Sequence, residues 1–436
     1  MLRVMDLTGA NWPGAGLSKN SVPRSSVDVD SVMPQAKEII AAVKGGNSDT
    51  VLALTEKFDG IKPPSLRVPN EIIEAAVASA SPEFVAALKT AAARVKKVSE
   101  QQRRAEIEIE VIPGGRITSR WVAINRVGLY VPGGRAVYPS SVVMNVVPAQ
   151  VAGVSSMMIM SPPNRDNSGW PHQSILAAAG ILGVTEIYAV GGAQAIAMAT
   201  FGIGCNPVDL ITGPGNIYVT AAKRALSGQV GFDSEAGPTE VAIIADHTAD
   251  PKFVAADLIS QAEHDVVAAA VLITTSAKLI SDVNDELEVQ VAQTKHQDRI
   301  AAALAGPQSL AILVSSIEEA VAVADSYAAE HLEIQTEDAG AVAKQITNAG
   351  AIFVGDYSPV SLGDYLAGSN HVLPTGGCAC HTAGLSIETF LKLMNLVEYT
   401  KEALNDSAQE IEVLALSEDL PAHWAAIDKR IGGDQR

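Results

Sequence analysis

Aromatic residues are scarce in this chain, at 4% of 436 residues, and acidic residues outnumber basic ones by 49 to 31. The formal net charge of −18 and a pI near 4.9 leave no basic footprint, so no nucleic-acid partner is expected. Cysteine is scarcer still. Cys205, Cys378 and Cys380 make no disulfide framework, and the last two stand too close to bridge easily. A reducing compartment fits. The opening "MLRVMDLTGANWPG" lacks a charged segment followed by an apolar one. No secretory signal is therefore expected, and the expected location is cytoplasmic. Long hydrophobic runs are missing too: the most apolar window, "VVMNVVPAQVAGVSSMMIM" from Val142, is interrupted by Asn145, Pro148, Gln150 and two serines. It reads as a helix followed by a buried strand, and no membrane partner is expected.

What is abundant is small and apolar. Hydrophobic residues make up 47% of the chain, with alanine and valine prominent among them, a texture that suits helices packed closely on parallel sheets. The length predicts more than one domain. Residues 1–25 read as an arm, and apolar residues recur at helical spacing from Val32 to Arg104. "IEIEVIPGGRITSRWVAI" alternates about Gly114-Gly115 and predicts a β-hairpin. Beyond Arg126 the strands "VGLYVP", "SMMIMSPP", "EIYAVGG" and "VDLITGPGN" alternate with helices. The same rhythm returns from "EVAIIAD" through "AAAVLITT", "LAILVSS", "HLEIQT" and "AIFVG". The expected fold class is α/β: two Rossmann-like doubly wound modules, an N-terminal arm and helical region, and a C-terminal helical tail.

The residues able to carry chemistry are dispersed. Gly191-Gly192 in "AVGGAQAIA" and Gly213 and Gly215 in "TGPGNIYV" stand between a strand and a helix, where backbone N–H groups can meet an anion. Neither stretch matches G-x-G-x-x-G or is followed by the acidic residue that holds a ribose. Ordinary βα turns and a nucleotide site of non-standard type both stay open. Gln261 and His264 in "QAEHD" share a helix face at i, i+3; metal ligation and a favourable helix-end charge both account for them. "SLGDYLAGSNHVLPTGG" sets Asp364, Asn370 and His371 on a glycine-rich loop, where Asx turns explain the first two and leave His371 idle. Glu418 and His423 in "SEDLPAHW" suit the start of a helix opened by Pro421. In "AAEHLEIQT", Glu330 and His331 sit where a helix ends and a strand begins. Cofactors bind α/β sheets at the opposite edge, which favours a structural role for the pair. Glu333 follows two residues later.

Taken in order, "GLYVPGGRAVYPSSVVMN", "AVGGAQAIA", "TGPGNIYV", "GFDSEAGPTEVAIIAD", "LISQAEHD", "AEHLEIQT" and "GDYLAGSNHVLPTGG" resemble the histidinol dehydrogenase family, from about residue 30 to the C-terminal tail. The resemblance implies oxidation of L-histidinol to L-histidine through L-histidinaldehyde with two NAD, the last step of histidine biosynthesis. It implies one Zn2+ per site, ligated by Gln261, His264, Asp364 and His423, the last from the partner subunit of a homodimer with a shared active site. His331 is then the base that removes the hydroxyl proton, and Glu330 activates the water that adds to the aldehyde. Substrate contacts map onto Thr239, His371 and Glu418 beside those residues, and NAD contacts onto Tyr130, Gln194 and Asn216. Thr239 stands where some members carry serine; the hydroxyl is kept.

The same resemblance divides the chain into an arm (1–25), a catalytic and zinc-binding domain (26–126 with 238–385), a second Rossmann-like domain contributing to NAD binding (127–237), and a helical tail (386–436) that reaches the partner. The alternative is a related zinc- and NAD-dependent dehydrogenase acting on a different small alcohol; His371, Glu418 and His423 favour histidinol. A zinc hydrolase is disfavoured by the strand–GG–helix and "GPGN" elements. A thiol route through Cys378 or Cys380 is made unnecessary by the family chemistry.

Overall fold

The computed structural model describes residues 1–9, 22–25, 28–133, 137–235 and 237–432. Two parallel sheets organise them. The first has the order β6 (Ile187–Ala189), β5 (Ser156–Ser161), β4 (Arg126–Tyr130), β7 (Leu210–Thr212) and β8 (Gly231–Phe232). The second runs β1 (Arg3–Asp6), β11 (Leu310–Leu313), β10 (Ala269–Thr274), β9 (Glu240–Ala245), β12 (His331–Gln335) and β13 (Ala351–Val354). Setting β1 aside, each module leads with a central strand, places the next two on one side and the last two on the other. The repeated rhythm in the sequence therefore has a repeated topology behind it. In each, the order reverses beside the first strand, between β4 and β7 and between β9 and β12, the kind of crevice at which α/β sheets bind ligands.

The central strands are continuous apolar runs because helices cover both faces. Every residue of β9 and β10 is buried. The five-stranded sheet packs Val127 and Leu129 on one side and Met158, Met160 and Ile211 on the other. Val241 and Ile243 of β9 face one layer of helices and Ala242 and Ile244 the other. Each such buried Val, Ile or Leu contributes about 1.5–3 kcal/mol over leaving it in water.

β12 departs from this rule on one face. Leu332 and Ile334 join the apolar core, while His331, Glu333 and Gln335, alternate residues on the other face, are buried polar groups. Buried polar side chains need partners or a purpose.

Three expectations change. Of the arm expected over residues 1–25, residues 10–21 lie outside the described residues, and Arg3–Asp6 is β1, an edge strand parallel to β11. The helices between Val29 and Gln101 contribute Ile39, Val43, Val51, Ile73, Leu88 and Val95 to the cores beside the five-stranded sheet, whereas the expected division joined 26–126 to 238–385. An apolar helix stripe announces burial without naming the sheet it covers. Finally, after the short 3-10 helix Ile387–Phe390 the tail continues as β14 (Leu391–Tyr399), antiparallel to β3 (Gly115–Ala123), which pairs in turn with β2 (Ile107–Ile112) around the expected Gly114 turn. Helices follow only from Lys401. Among the described residues, no helix is long and apolar enough to cross a membrane.

Candidate active site

A cavity of about 880 Å³ is walled by the carboxyl ends of the five-stranded sheet and the amino ends of the six-stranded sheet. From the first come Tyr130 at the end of β4, Gly192 and Gln194 beyond β6, and Asn216 beyond β7. From the second come Thr239, just before β9, and Glu330 and His331 at the start of β12. The edge rule that argued against the Glu-His pair holds for one sheet while the other supplies the opposite wall. His264, Asp364 and His371 complete the lining.

The backbone of the first wall is tied down. Gly213 adopts φ +106, and a Cβ there would stand 1.9 Å from the Tyr130 carbonyl oxygen, so only glycine fits. Asn216 caps the helix Ile217–Leu226, accepting from the N–H groups of Tyr218 at 3.0 Å and Val219 at 3.2 Å. The Gly192 N–H donates to the Tyr130 hydroxyl at 3.2 Å. Gln194 is buried with an unpartnered Nε2. Asp59, which the sequence did not single out, lines the same end. Its Oδ2 is buried without a partner, and burial pushes its pKa to about 6. It stands at the C-terminal end of the helix Ser48–Asp59.

Glu330 and His331 are both held by one residue's main chain. The Glu240 N–H donates to Glu330 Oε2 at 2.9 Å, and the Glu240 carbonyl faces His331 Nδ1 at 3.1 Å. Thr239 Oγ1 also donates to Glu330 Oε2, at 2.5 Å. Because a carbonyl only accepts, His331 Nδ1 carries the proton and Nε2 keeps the lone pair. That Nε2 is buried, has no hydrogen-bond partner, and lies 4.0 Å from Asp364 Oδ1. Burial lowers the His331 pKa, so the ring is an unprotonated base near neutral pH. Burial raises Glu330 to about 7, against the hydrogen bonds from Thr239 and Glu240. Perturbed pairs of this kind mark reactive sites.

Arg24 and Glu240 are further residues without a signal in the sequence. Arg24 Nη1 meets Glu240 Oε1 at 2.9 Å and its guanidinium lies 3.9 Å from the centre of the Tyr327 ring. That ion pair backs the residue whose main chain carries the pair.

The donors named for a metal divide into two groups. Gln261 Nε2 donates to Thr239 Oγ1 at 2.7 Å, which leaves its buried Oε1 with no partner. His264 stacks on Tyr138, ring centres 6.5 Å apart, and burial lowers its pKa. Asp364 has its pKa pushed to about 6 by burial. An orphaned amide oxygen, a neutral imidazole and a carboxylate short of positive charge fit a divalent cation. Among the described residues, however, no group of three or more His, Cys, Asp or Glu converges on a metal position. His423 and Glu418 are exposed on the tail and are absent from the cavity wall. His371 is fully engaged within the chain: Nδ1 donates to the Asp364 carbonyl at 2.9 Å and Nε2 accepts from Ser141 Oγ at 2.9 Å. Cys378 and Cys380 lie outside the cavity lining, and burial raises the Cys378 pKa, which disfavours a nucleophilic thiolate.

A sequence model of the histidinol dehydrogenase family matches residues 22–431. The chain belongs to the histidinol dehydrogenase family. It is 54% identical over 432 residues to a histidinol dehydrogenase of Nocardia farcinica, covering 98% of this chain and 97% of the relative. To that of Thermobifida fusca it is 55% identical over 417 residues, covering 95% of each. The crystal structure of histidinol dehydrogenase from Elizabethkingia anophelis superposes with a TM-score of 0.92 at 34% identity, covering 99% of this chain and 98% of that one. Membership of the histidinol dehydrogenase family makes the protein an NAD-dependent oxidoreductase and gives the two-module α/β architecture a solved counterpart.

Proposed function

We propose that this member of the family oxidises L-histidinol to L-histidine at the cavity between the two sheets, with the Glu330–His331 pair dividing the proton transfers. The observation that carries the reading is the orphaned, buried Nε2 of His331, fixed as a base by the Glu240 carbonyl. An unprotonated imidazole held in one tautomer can take the hydroxyl proton as the alcohol carbon loses hydride. Glu330 has Oε2 occupied by Thr239 and Glu240, which leaves Oε1 to take a proton from the water that adds to the aldehyde. A carboxyl with a pKa of about 7 is matched to that task at neutral pH.

NAD, contacted by Tyr130, Gln194 and Asn216, supplies the hydride acceptor. The position of Tyr130 and Asn216 at the switch between β4 and β7 supports that assignment. Asp59 is placed to accept from ribose hydroxyls and to disfavour a phosphate there. Zn2+, held by Gln261, His264 and Asp364, supplies a Lewis-acidic anchor that orients the substrate. The exposure of His423 and Glu418 supports their action on the partner subunit's site in a homodimer, since neither reaches the cavity of its own chain. Thr239 then bridges the two functions, accepting from Gln261 and donating to Glu330.

The test is turnover with L-histidinol. Two NADH per histidinol, activity lost to a chelator and restored by Zn2+, is the expected result. No turnover of L-histidinol, with NADH formed from a different small alcohol, would point to the alternative of a related zinc- and NAD-dependent dehydrogenase.

A further inference from the structure

Glu333 has no part in that chemistry, yet it is a carboxylic acid only 1% exposed in the middle of a sheet. Its Oε1 accepts from the N–H of Val360 at 2.8 Å, the first residue of the short helix Val360–Tyr365. Gln335 Nε2 donates both to Glu333 Oε2 at 3.1 Å and to Asp257 Oδ2 at 2.8 Å. The two carboxyls thus share one amide donor and lie within hydrogen-bonding reach of each other. Carboxylates only accept, so the pair closes only with a proton between them. Burial accordingly raises both acids, Glu333 well above its ordinary range.

These partners occupy the three elements that carry the site. Asp257 precedes Gln261 by four residues on the helix Pro251–Ala262; Val360 precedes Asp364 by four on Val360–Tyr365; Glu333 follows His331 by two on β12. Four residues of helix rise about 6 Å and two residues of strand about 6.6 Å. Gln261, Asp364 and His331 therefore form one layer, and Asp257, Val360 and Glu333 a second layer beneath it in register.

We propose that Glu333, with Asp257 and Gln335, is a positioning cluster that sets the spacing between Gln261, Asp364 and His331. The inference rests on the reading of Gln261, His264 and Asp364 as metal donors. Groups behind a metal's ligands fix their orientation, and losing one weakens metal binding without touching the metal. Among the described residues Gln261 has only the side-chain contact to Thr239, and Asp364 faces the neutral His331 ring with no cationic partner, so the layer beneath bears on where their oxygens stand.

The experiment titrates Zn2+ into metal-stripped full-length protein against a chromophoric chelator, for wild type, E333Q, E333L and Q261A, with thermal unfolding alongside. E333Q keeps the acceptor for Val360 and a donor for Asp257, giving up only the 3.1 Å contact from Gln335; it is expected within about threefold of wild type, and E333L about 10- to 100-fold weaker. If Q261A weakens Zn2+ binding while folded E333L binds as wild type does, the positioning role is overturned and the metal reading stands. If Q261A itself binds as wild type does, the metal reading falls and this inference with it. Equal losses in E333Q and E333L also overturn it, because the amide preserves the geometry. Should E333L fail to fold, D257N and D257L carry the same comparison: rescue by Asn alone is expected, and no difference between them overturns the proposal.

Discussion

Replacing Glu330 by Gln separates the effect of burial on that carboxyl from its role in catalysis. Burial raises its pKa from the ordinary 4.5 to about 7. A folded value above the unfolded one means that native protein retains a proton the unfolded chain has released across that interval. The group's contribution to stability is therefore whole below about pH 4.5 and is lost as the pH rises through about 7. Between about pH 5 and pH 8 the loss is roughly 2 to 3 kcal/mol, at about 1.4 kcal/mol for each pH unit separating the folded and unfolded values. Glutamine is neutral at both, so E330Q keeps what wild type loses. Its neutrality also relieves Glu240, whose pKa of about 7 is raised in part by the Glu330 charge. For 436 residues the unfolding entropy is roughly 0.9 kcal/mol per kelvin, so the Tm advantage of E330Q should be about 3 °C larger at pH 8 than at pH 5. Calorimetry on metal-free, cofactor-free protein measures it. A Tm difference that stays flat across the range would refute the reasoning, since Glu330 would then ionise alike folded and unfolded.

Three further outcomes are expected. His331→Ala lowers the rate of NADH formation by about 10²- to 10⁴-fold, and an unchanged rate would mean that another group takes the hydroxyl proton. Asp59→Asn removes the charge that disfavours a 2′-phosphate, so the ratio of kcat/KM for NAD over NADP falls by about tenfold or more; a constant ratio would remove Asp59 from the ribose. Mixing Gln261→Ala with His423→Ala subunits restores part of the activity that each lacks alone, and no recovery would mean a site complete within one chain.

Much of this was legible from residue patterns. The βα rhythm located nine of the eleven strands of the parallel sheets, because fully buried strands are uninterrupted apolar runs. β1 escaped because Arg3–Asp6 is a half-polar edge strand and β8 because Gly231–Phe232 is only two residues long; outside those sheets, β14 escaped because the alternation of Leu391, Leu393 and Val397 precedes a helical tail. The site was legible only through the motifs as a set. Placed on one sheet, Glu330 and His331 stood at the unfavourable edge; only the facing carboxyl edge of the other sheet makes that edge a cavity wall. Asp59, Arg24 and Glu240 left no trace, because nothing local in the chain announces a contact between residues 24 and 240 or between a helix end and a glycine turn. Glu333 was visible as an acid in a strand pattern, but its partners Val360 and Asp257 lie 27 and 76 positions away along the chain.

The anchoring of Glu330 and His331 by the peptide groups of Glu240 bears on how mutational data for this enzyme should be read. Exchanging the side chain at position 240 removes neither contact, since every residue offers the same C=O and all but proline the same N–H. A scan through the other non-proline residues would therefore report the ion pair with Arg24 and stay blind to the support lying closest to Glu330 and His331. Proline at 240 is the one encoded change that deletes the N–H to Glu330, and backbone amide-to-ester replacement would delete it without disturbing β9.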